Sequence, residues 1–196
     1  VMHLDISQFN GEVDIKSGYV EDIGLIGTKI ASGYYDNYKL GLPSGIAIII
    51  LLDLKTSMPL AIMDGTYITA YRTGAAGAVA ASVLARDDST TIGVIGAGTQ
   101  GRMQVLALRE IFKIQEVKVW DINKDSGKRY AKEMSELLGI KVEQYSHPEA
   151  VVRRSDIIVT VTPSKKALVQ NDWIELGMHI NAIGADGPGK QELDPL

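Results

Sequence analysis

Four groups of residues in this chain have the types and spacing to do chemistry. The first is Gly96-Ala97-Gly98-Thr99-Gln100-Gly101, which follows the apolar run Thr91–Ile95. Twenty positions beyond its last glycine stands Asp121, at the end of a second strand-like run, Glu116–Trp120. A strand, a glycine turn, a helix and a distal acid in this order are the dinucleotide-binding fingerprint. Gly96 permits the tight turn. Gly98 lets the backbone approach a pyrophosphate. Gly101 lets the helix pack closely on the strand. With Thr99 and Gln100 these residues form the start of a helix, whose unpaired N–H groups and dipole favour an anion. Asp121 accepts hydrogen bonds from ribose hydroxyls and repels a 2′-phosphate, which favours NAD over NADP; Lys124 and Lys128 just downstream soften that preference.

The other three groups lie outside the turn. Lys29 interrupts an apolar strand (Leu25, Ile26, Ile30); it either snorkels to solvent or, partly buried, binds a carboxylate. Lys16 poses the same question with weaker support. Arg72, in Tyr71-Arg72-Thr73-Gly74, is either an exposed surface arginine or a bidentate carboxylate clamp beside a small-residue surface. The last group is Asn181-Ala182-Ile183-Gly184-Ala185-Asp186-Gly187-Pro188-Gly189-Lys190. It follows the fifth strand of the alternating half, and loops at the carboxyl ends of such strands face the ligand crevice. Asp186 there reads as a solvated turn residue or as an acid placed for proton transfer, and its location favours the acid. Thr160-Val161-Thr162-Pro163-Ser164, at the end of the fourth strand, belongs to the same rim, which places Thr162 close to a nucleotide.

The elements that must position these residues fall into two halves. The first is strand-like, with runs at 11–20, 23–32, 46–54 and 58–63 broken by turn-formers, at hairpin spacing. Asp64-Gly65-Thr66 then caps a helix over 67–85 rich in Gly and Ala, which leads from one domain to the next. After the polar boundary Arg86-Asp87-Asp88-Ser89, strands at 91–95, 116–120, 140–144, 157–161 and 178–183 alternate with helices at 99–112, 124–138, 148–154 and 170–175. Tyr130, Met134, Leu137 and Leu138 recur at helical spacing as core positions. The fold class is therefore α/β: a Rossmann-type doubly wound parallel sheet over 87–196, preceded by a β-rich (α+β) domain over 1–86. A complete doubly wound sheet has about six strands and the pattern supplies five, so the nucleotide domain reads as truncated, with segments missing at both ends of the chain.

Composition narrows the function classes. The chain has 196 residues, 45% hydrophobic and 22% charged, with a net charge of −4, which argues against a nucleic-acid partner. It contains no cysteine, which excludes disulfides, thiolate catalysis and cysteine-based zinc sites. His3, His147 and His179 show no metal-ligand spacing, so no metal is expected. The longest apolar run, 45–52, is far short of a membrane span. The expectation is a soluble, cytoplasmic protein acting on a small molecule.

Taken together, Gly27-Thr28-Lys29, Asp36-Asn37…Gly41-Leu42-Pro43, Leu60–Thr66, Arg72-Thr73-Gly74-Ala75-Ala76, Gly96–Gln100 and the long His179–Leu193 motif resemble, in order and along the whole chain, the ornithine cyclodeaminase/mu-crystallin family. The wording is most like its archaeal-type alanine dehydrogenases. The resemblance implies a homodimer in which the β-rich domain carries the dimer contact and part of the substrate site, and a Rossmann domain that binds NAD. Lys29 and Arg72 would grip the carboxylate of an amino-acid substrate, Lys29 and Asp186 would be catalytic, and Thr73 would lie near the nicotinamide. Gly96, Gly98, Thr99, Gln100, Gly101, Asp121, Thr162 and Gly184 would contact the cofactor. The implied reaction takes hydride from the α-carbon of a small L-amino acid, giving an imine, with release of ammonia. Ornithine cyclisation to proline, reduction of a cyclic imine (ketimine), and nucleotide-dependent binding without catalysis, as in mu-crystallin, are the alternatives. The family's substrate-binding arginine and C-terminal segment have no counterpart in these residues, so the chain reads as a fragment that does not complete a site alone.

Overall fold

A computed structural model describes residues 1–195. The chain divides into two compact units, Val1–Tyr71 and Arg72–Leu196. In the first, β1 (Met2–Ile6), β2 (Gly11–Val20), β3 (Leu25–Tyr34), β4 (Gly45–Asp53) and β5 (Pro59–Asp64) form one antiparallel sheet in sequential order. Hairpin-scale connections leave each strand beside its chain neighbour. The register sets Lys16 opposite Lys29 and Lys29 opposite Ile49, so both lysines share one face. Side chains alternate between faces along each strand. The other face therefore carries Met2, Leu4, Ile46, Ile48 and Ile62, which are 43–73% exposed.

Helix α1 (Thr66–Leu84) starts from the end of β5. The Asp64 carboxylate accepts the Thr66 N–H at 2.9 Å and the Thr66 hydroxyl at 3.1 Å, a local turn that precedes the helix. Gly65 is buried against Ile49 and Ala47, where a side chain would crowd both. The division between the units falls inside α1; the polar segment 86–89, where the sequence pattern sets its boundary, follows the helix.

The second unit is the doubly wound half. Strands β6 (Thr91–Ile95), β7 (Glu116–Trp120), β8 (Lys141–Gln144), β9 (Ile157–Thr160) and β11 (His179–Ala182) are all parallel, in the order β11-β9-β6-β7-β8. The chain reverses direction of winding between β8 and β9, which puts the switch point at the carboxyl ends of β6 and β9. Helices α2 (Thr99–Arg109), α3 (Lys124–Leu138) and α4 (Pro148–Val152) connect the strands. Ile92, Val94, Val117, Val119, Ile157 and Val159 bury one face with Leu108, Tyr130 and Met134; Ile95, Ile158, Val151 and Val152 bury the other. Continuous apolar strands of this kind are what a two-sided cover demands.

Strand β1 lies ahead of the four runs expected in the first half, and two features of the second unit also depart from the sequence pattern. The expected helix at 170–175 is a single 3-10 turn, Asn171–Trp173. A small parallel pair, β10 (Lys165–Val169) with β12 (Gln191–Leu193), lies outside the strands that the sequence pattern predicts. Both strands are too short for a periodic signal, and β12 exists only through pairing with a partner far away in the chain. Among the described residues no helix is long and apolar enough to cross a membrane, and no cluster of His, Cys, Asp or Glu is arranged to hold a metal.

Candidate functional site

The glycine turn joins β6 to α2. Gly96 has φ of 112°, a value that favours glycine. A Cβ on Gly101 would overlap the Gly96 carbonyl oxygen, so the third glycine is required by the turn closing on itself. Gly98 differs: nothing lies within 4 Å of its Cβ position. It is the N-cap of α2 and supplies no side-chain acceptor to the first-turn N–H groups. Open space in front of unpaired helical N–H groups fits a phosphate-bearing ligand. Gln100 Oε1 is a buried acceptor with no hydrogen-bond partner among the described residues.

Asp121 completes the turn. Its Oδ2 accepts the Ala97 N–H at 2.8 Å and its Oδ1 accepts the Asn123 N–H at 2.8 Å. The acid is thus held at the carboxyl end of β7, against the glycine turn. On the far side of α2, the Tyr130 hydroxyl donates to the Gly101 carbonyl at 2.9 Å. Full burial raises the Tyr130 pKa, with the Arg102 guanidinium opposing the rise, so the phenol stays a neutral donor. Arg102 stacks over that ring at 4.9 Å and pairs with Glu133 at 2.7 Å.

Thr162 and Gly184 meet beside the turn. The Gly96 Cβ position lies 3.0 Å from Thr162 Cγ2, and a Cβ on Gly184 would overlap the Thr162 backbone. The Gly184 N–H donates to the Thr160 carbonyl at 3.0 Å. Glu192, from β12, reaches into this junction. Its Oε1 accepts the Thr162 N–H at 2.6 Å and the Thr162 hydroxyl at 2.7 Å. Its Oε2 accepts the Thr160 hydroxyl at 2.8 Å and the Gly184 N–H at 2.9 Å. Asp186 sits in the loop that Gly184 begins. Its side chain is 61% exposed and pairs at 2.7 Å with Lys190, whose own side chain is only 7% exposed.

Thr73 and Arg72 open the second unit. The Thr73 carbonyl accepts the Gln104 amide at 2.9 Å, and Gln104 is fully buried on α2. Gly74 and Gly77 sit where a side chain would collide with Met103 and Gln104, which explains the small residues of α1 as a contact with α2. Asn181 donates to the Gly77 carbonyl at 3.1 Å and bonds the His179 ring at 2.8 Å. Arg72 is exposed.

Lys29 belongs to the first unit. It is half-buried, and its Nζ donates to the Thr69 hydroxyl at 3.2 Å, across from the sheet to α1. Lys16 pairs instead with Asp14 at 3.0 Å. Partial burial pushes the Asp14 carboxyl upward, but hydrogen bonds from His3 and Lys16 outweigh it and hold the group below its usual range.

In sum, Gly96, Gly98, Thr99, Gln100, Gly101, Asp121, Thr162 and Gly184 are gathered along the carboxyl edge of β6, β7, β9 and β11, and the Asp186 loop leaves from the same edge. Gln104 carries no motif signal, and Asn181 and Glu192 enter the sequence pattern only as members of the 179–193 run, with no role of their own. Their signal was present only as polar residues in otherwise apolar or glycine-rich runs. A surface hollow in the first unit, lined by Phe9, Tyr34, Asp36 and Leu40 among others, contains none of the candidate residues.

Comparison with known proteins follows the same lines. The sequence model of the ornithine cyclodeaminase/mu-crystallin family matches residues 2–196. An alanine dehydrogenase of Archaeoglobus fulgidus is 45% identical over 181 residues, 92% of this chain and 55% of the relative. The structure of Thermococcus litoralis Δ1-pyrroline-2-carboxylate reductase, in complex with NADH and L-proline, superposes with a TM-score of 0.93 at 41% identity, covering 98% of this chain and 60% of that one. An archaeal alanine dehydrogenase dimer with bound NAD gives a TM-score of 0.86 at 42% identity, covering 98% and 58%. The chain therefore spans between 55% and 60% of the length of these relatives.

Proposed function

The chain belongs to the ornithine cyclodeaminase/mu-crystallin family, and from that premise we propose that its protein is an NAD-dependent enzyme that moves hydride to or from the α-carbon of a small 2-amino acid, with the imine as the other form. The observation that carries this reading is the junction of the glycine turn, Thr162, Gly184 and the Asp186 loop on one sheet edge. Bound there, the nicotinamide would accept or supply the hydride.

The remaining roles fall to the chain's own residues. Gly96, Gly98, Thr99, Gln100 and Gly101 hold the pyrophosphate on backbone N–H groups. Asp121 accepts from the ribose. Thr73, Thr162 and Gly184 border the nicotinamide. Lys29 and Arg72 bind the α-carboxylate, fixing the direction of the Cα–H bond; this is catalysis by positioning. Asp186 takes the proton from the substrate nitrogen, or returns it, as the imine forms or is reduced. Water attack on the imine, followed by loss of ammonia, completes the dehydrogenase reaction.

The likeness to the alanine dehydrogenases favours an open-chain substrate such as alanine. The likeness to the pyrroline-2-carboxylate reductase favours reduction of a cyclic imine as the second reading. Both use the same edge. The exposed apolar sheet face of Leu4, Ile46, Ile48 and Ile62 supports a homodimer built on the first unit.

The test is a nicotinamide absorbance assay on the full-length protein. L-Alanine and L-proline are offered with NAD, and pyruvate plus ammonia or Δ1-pyrroline-2-carboxylate with NADH. Turnover on the alanine pair selects the dehydrogenase, and on the proline pair the reductase. Ornithine consumed with ammonia release and no net NADH selects the cyclodeaminase. Tight NADH binding with no turnover on any of them overturns the enzymatic reading in favour of a binding protein.

A further inference from the structure

We propose that Glu192 is a positioning residue: one buried carboxylate that sets the place of the Asp186 loop relative to the end of β9. The inference rests on the reading of Asp186 as the group that handles the substrate proton. Glu192 is 1% exposed. Its partners are two threonine hydroxyls and two backbone N–H groups, from Thr160, Thr162 and Gly184. None is a cation, so the residue is not there to form an ion pair.

The arrangement closes the loop at both ends. Gly184, where the loop leaves β11, is bonded to the Glu192 side chain. Gln191, where the loop arrives, immediately precedes Glu192 in the chain, and its N–H donates to the Ser164 carbonyl at 2.7 Å. Residues 185–190 run between these two fixed points; within the loop the Lys190 N–H donates to the Gly187 carbonyl at 3.3 Å and the Lys190 ammonium holds Asp186 at 2.7 Å, so the loop shifts with its ends. The same carboxylate grips Thr162, the residue packed against Gly96 of the glycine turn. Glu192 therefore fixes the distance between the segment that carries the acid and the segment that borders the nucleotide.

The chemistry of the junction demands a carboxylate. Each of its oxygens accepts one backbone N–H, from Thr162 on one side and Gly184 on the other. A backbone N–H cannot rotate to become an acceptor. Glutamine has only one acceptor oxygen, so its NH2 group must face one of these two N–H groups, donor against donor. Shape is conserved and one anchor is lost. Two facing donors repel; the Gly184 N–H keeps its bond to the Thr160 carbonyl, but the loop end loses its link to the Glu192 side chain and gains freedom to move.

The experiment compares wild type and Glu192→Gln in the full-length protein. Readouts are hydrogen exchange by mass spectrometry, NADH affinity by fluorescence titration, and kcat and KM on the substrate selected above. The expected result is exchange faster by about tenfold or more in the peptides spanning 160–164 and 183–191, with those from β6 and β7 unchanged. The expected kinetic change is a fall in kcat of about thirtyfold or more, with KM for the amino or imino acid within about threefold, because the acid is misplaced while Lys29 and Arg72 stay put; NADH affinity falls by less than kcat, since Thr162 and Gly184 also border the nicotinamide. Uniformly faster exchange across the second unit, or local exchange and kcat both unchanged, would overturn the proposal. If Glu192→Gln does not fold, Thr160→Val removes one buried hydroxyl donor and keeps both N–H bonds. It should show the same localised exchange with a smaller loss of kcat, and its absence overturns the proposal equally. Exchange is read without turnover, so a failure of the functional assay does not decide this question.

Discussion

The carboxylate of Asp121 accepts the backbone N–H of Ala97 at 2.8 Å. The acid at the end of β7 and the middle of the glycine turn are thereby one structural unit, 24 residues apart in the chain. In the proposed role one carboxylate shapes the turn and meets the ribose. Asp121→Ser should narrow the preference for NAD over NADP by about tenfold, equivalent to about 1.4 kcal/mol, and weaken NADH binding as well, because the turn loses an anchor. Titrating both cofactors measures this, and an unchanged ratio means that Asp121 does not read the ribose.

The two ends of the turn should respond oppositely to an added methyl group. Gly98 has open space at its Cβ position, whereas Gly101 has the Gly96 carbonyl oxygen there. Gly98→Ala should leave stability within about 1 kcal/mol while weakening NADH binding. Gly101→Ala should destabilise the fold by about 2 kcal/mol or more. Thermal or denaturant unfolding with NADH titration separates them. If Gly98→Ala binds NADH normally, the pyrophosphate does not lie against that residue.

Asp186 can be neutralised with little change of shape. Asn keeps an oxygen able to accept from Lys190, so the 2.7 Å contact survives while the proton acceptor is lost. Asp186→Asn should lower kcat by about 100-fold or more with NADH affinity nearly unchanged. Normal turnover in this variant removes Asp186 from the reaction.

Lys118 offers a pH test of stability. It is buried on β7, and its Nζ donates to the carbonyls of Arg153 and Arg154 at 3.1 and 3.2 Å, at the end of α4. Burial lowers its pKa, with Glu116 working against the shift and Arg154 adding to it. The unfolded lysine therefore binds more protons than the native one in the window just below its ordinary value, and native stability rises with pH there. Lys118→Met leaves both carbonyls without this donor and should cost about 1–3 kcal/mol. It also lacks the titrating group, so the deficit against wild type should be larger near pH ~9.5 than near pH ~7. Denaturant midpoints at the two values check the sign; a deficit that shrinks as pH rises contradicts it.

The apolar face of the first sheet should mark the dimer. Ile48 and Ile62 are 46% and 73% exposed on it. Ile62→Asp in the full-length protein should give a monomer by sedimentation, since a buried unpaired carboxylate opposes association. A dimer that persists unchanged places the contact elsewhere.

Local pattern was enough to read the framework. Buried parallel strands are continuous apolar runs, α3 repeats its core residues at helical spacing, and a glycine turn between strand and helix has its own grammar. So β6, β7 and α3, the alternation of the second unit, the hairpin sheet before it and the place of Asp121 were all legible from residue order alone. The junction beyond them was not. Glu192 stands 32 positions from Thr160 and 8 from Gly184, and no periodicity links a carboxylate to donors at such separations. The β10–β12 pair, the close approach of Gly74 and Gly77 to α2, and the burial of Lys190 beside an exposed Asp186 are of the same kind. Each depends on which chain segments are neighbours in space, and that is decided by packing rather than by propensity.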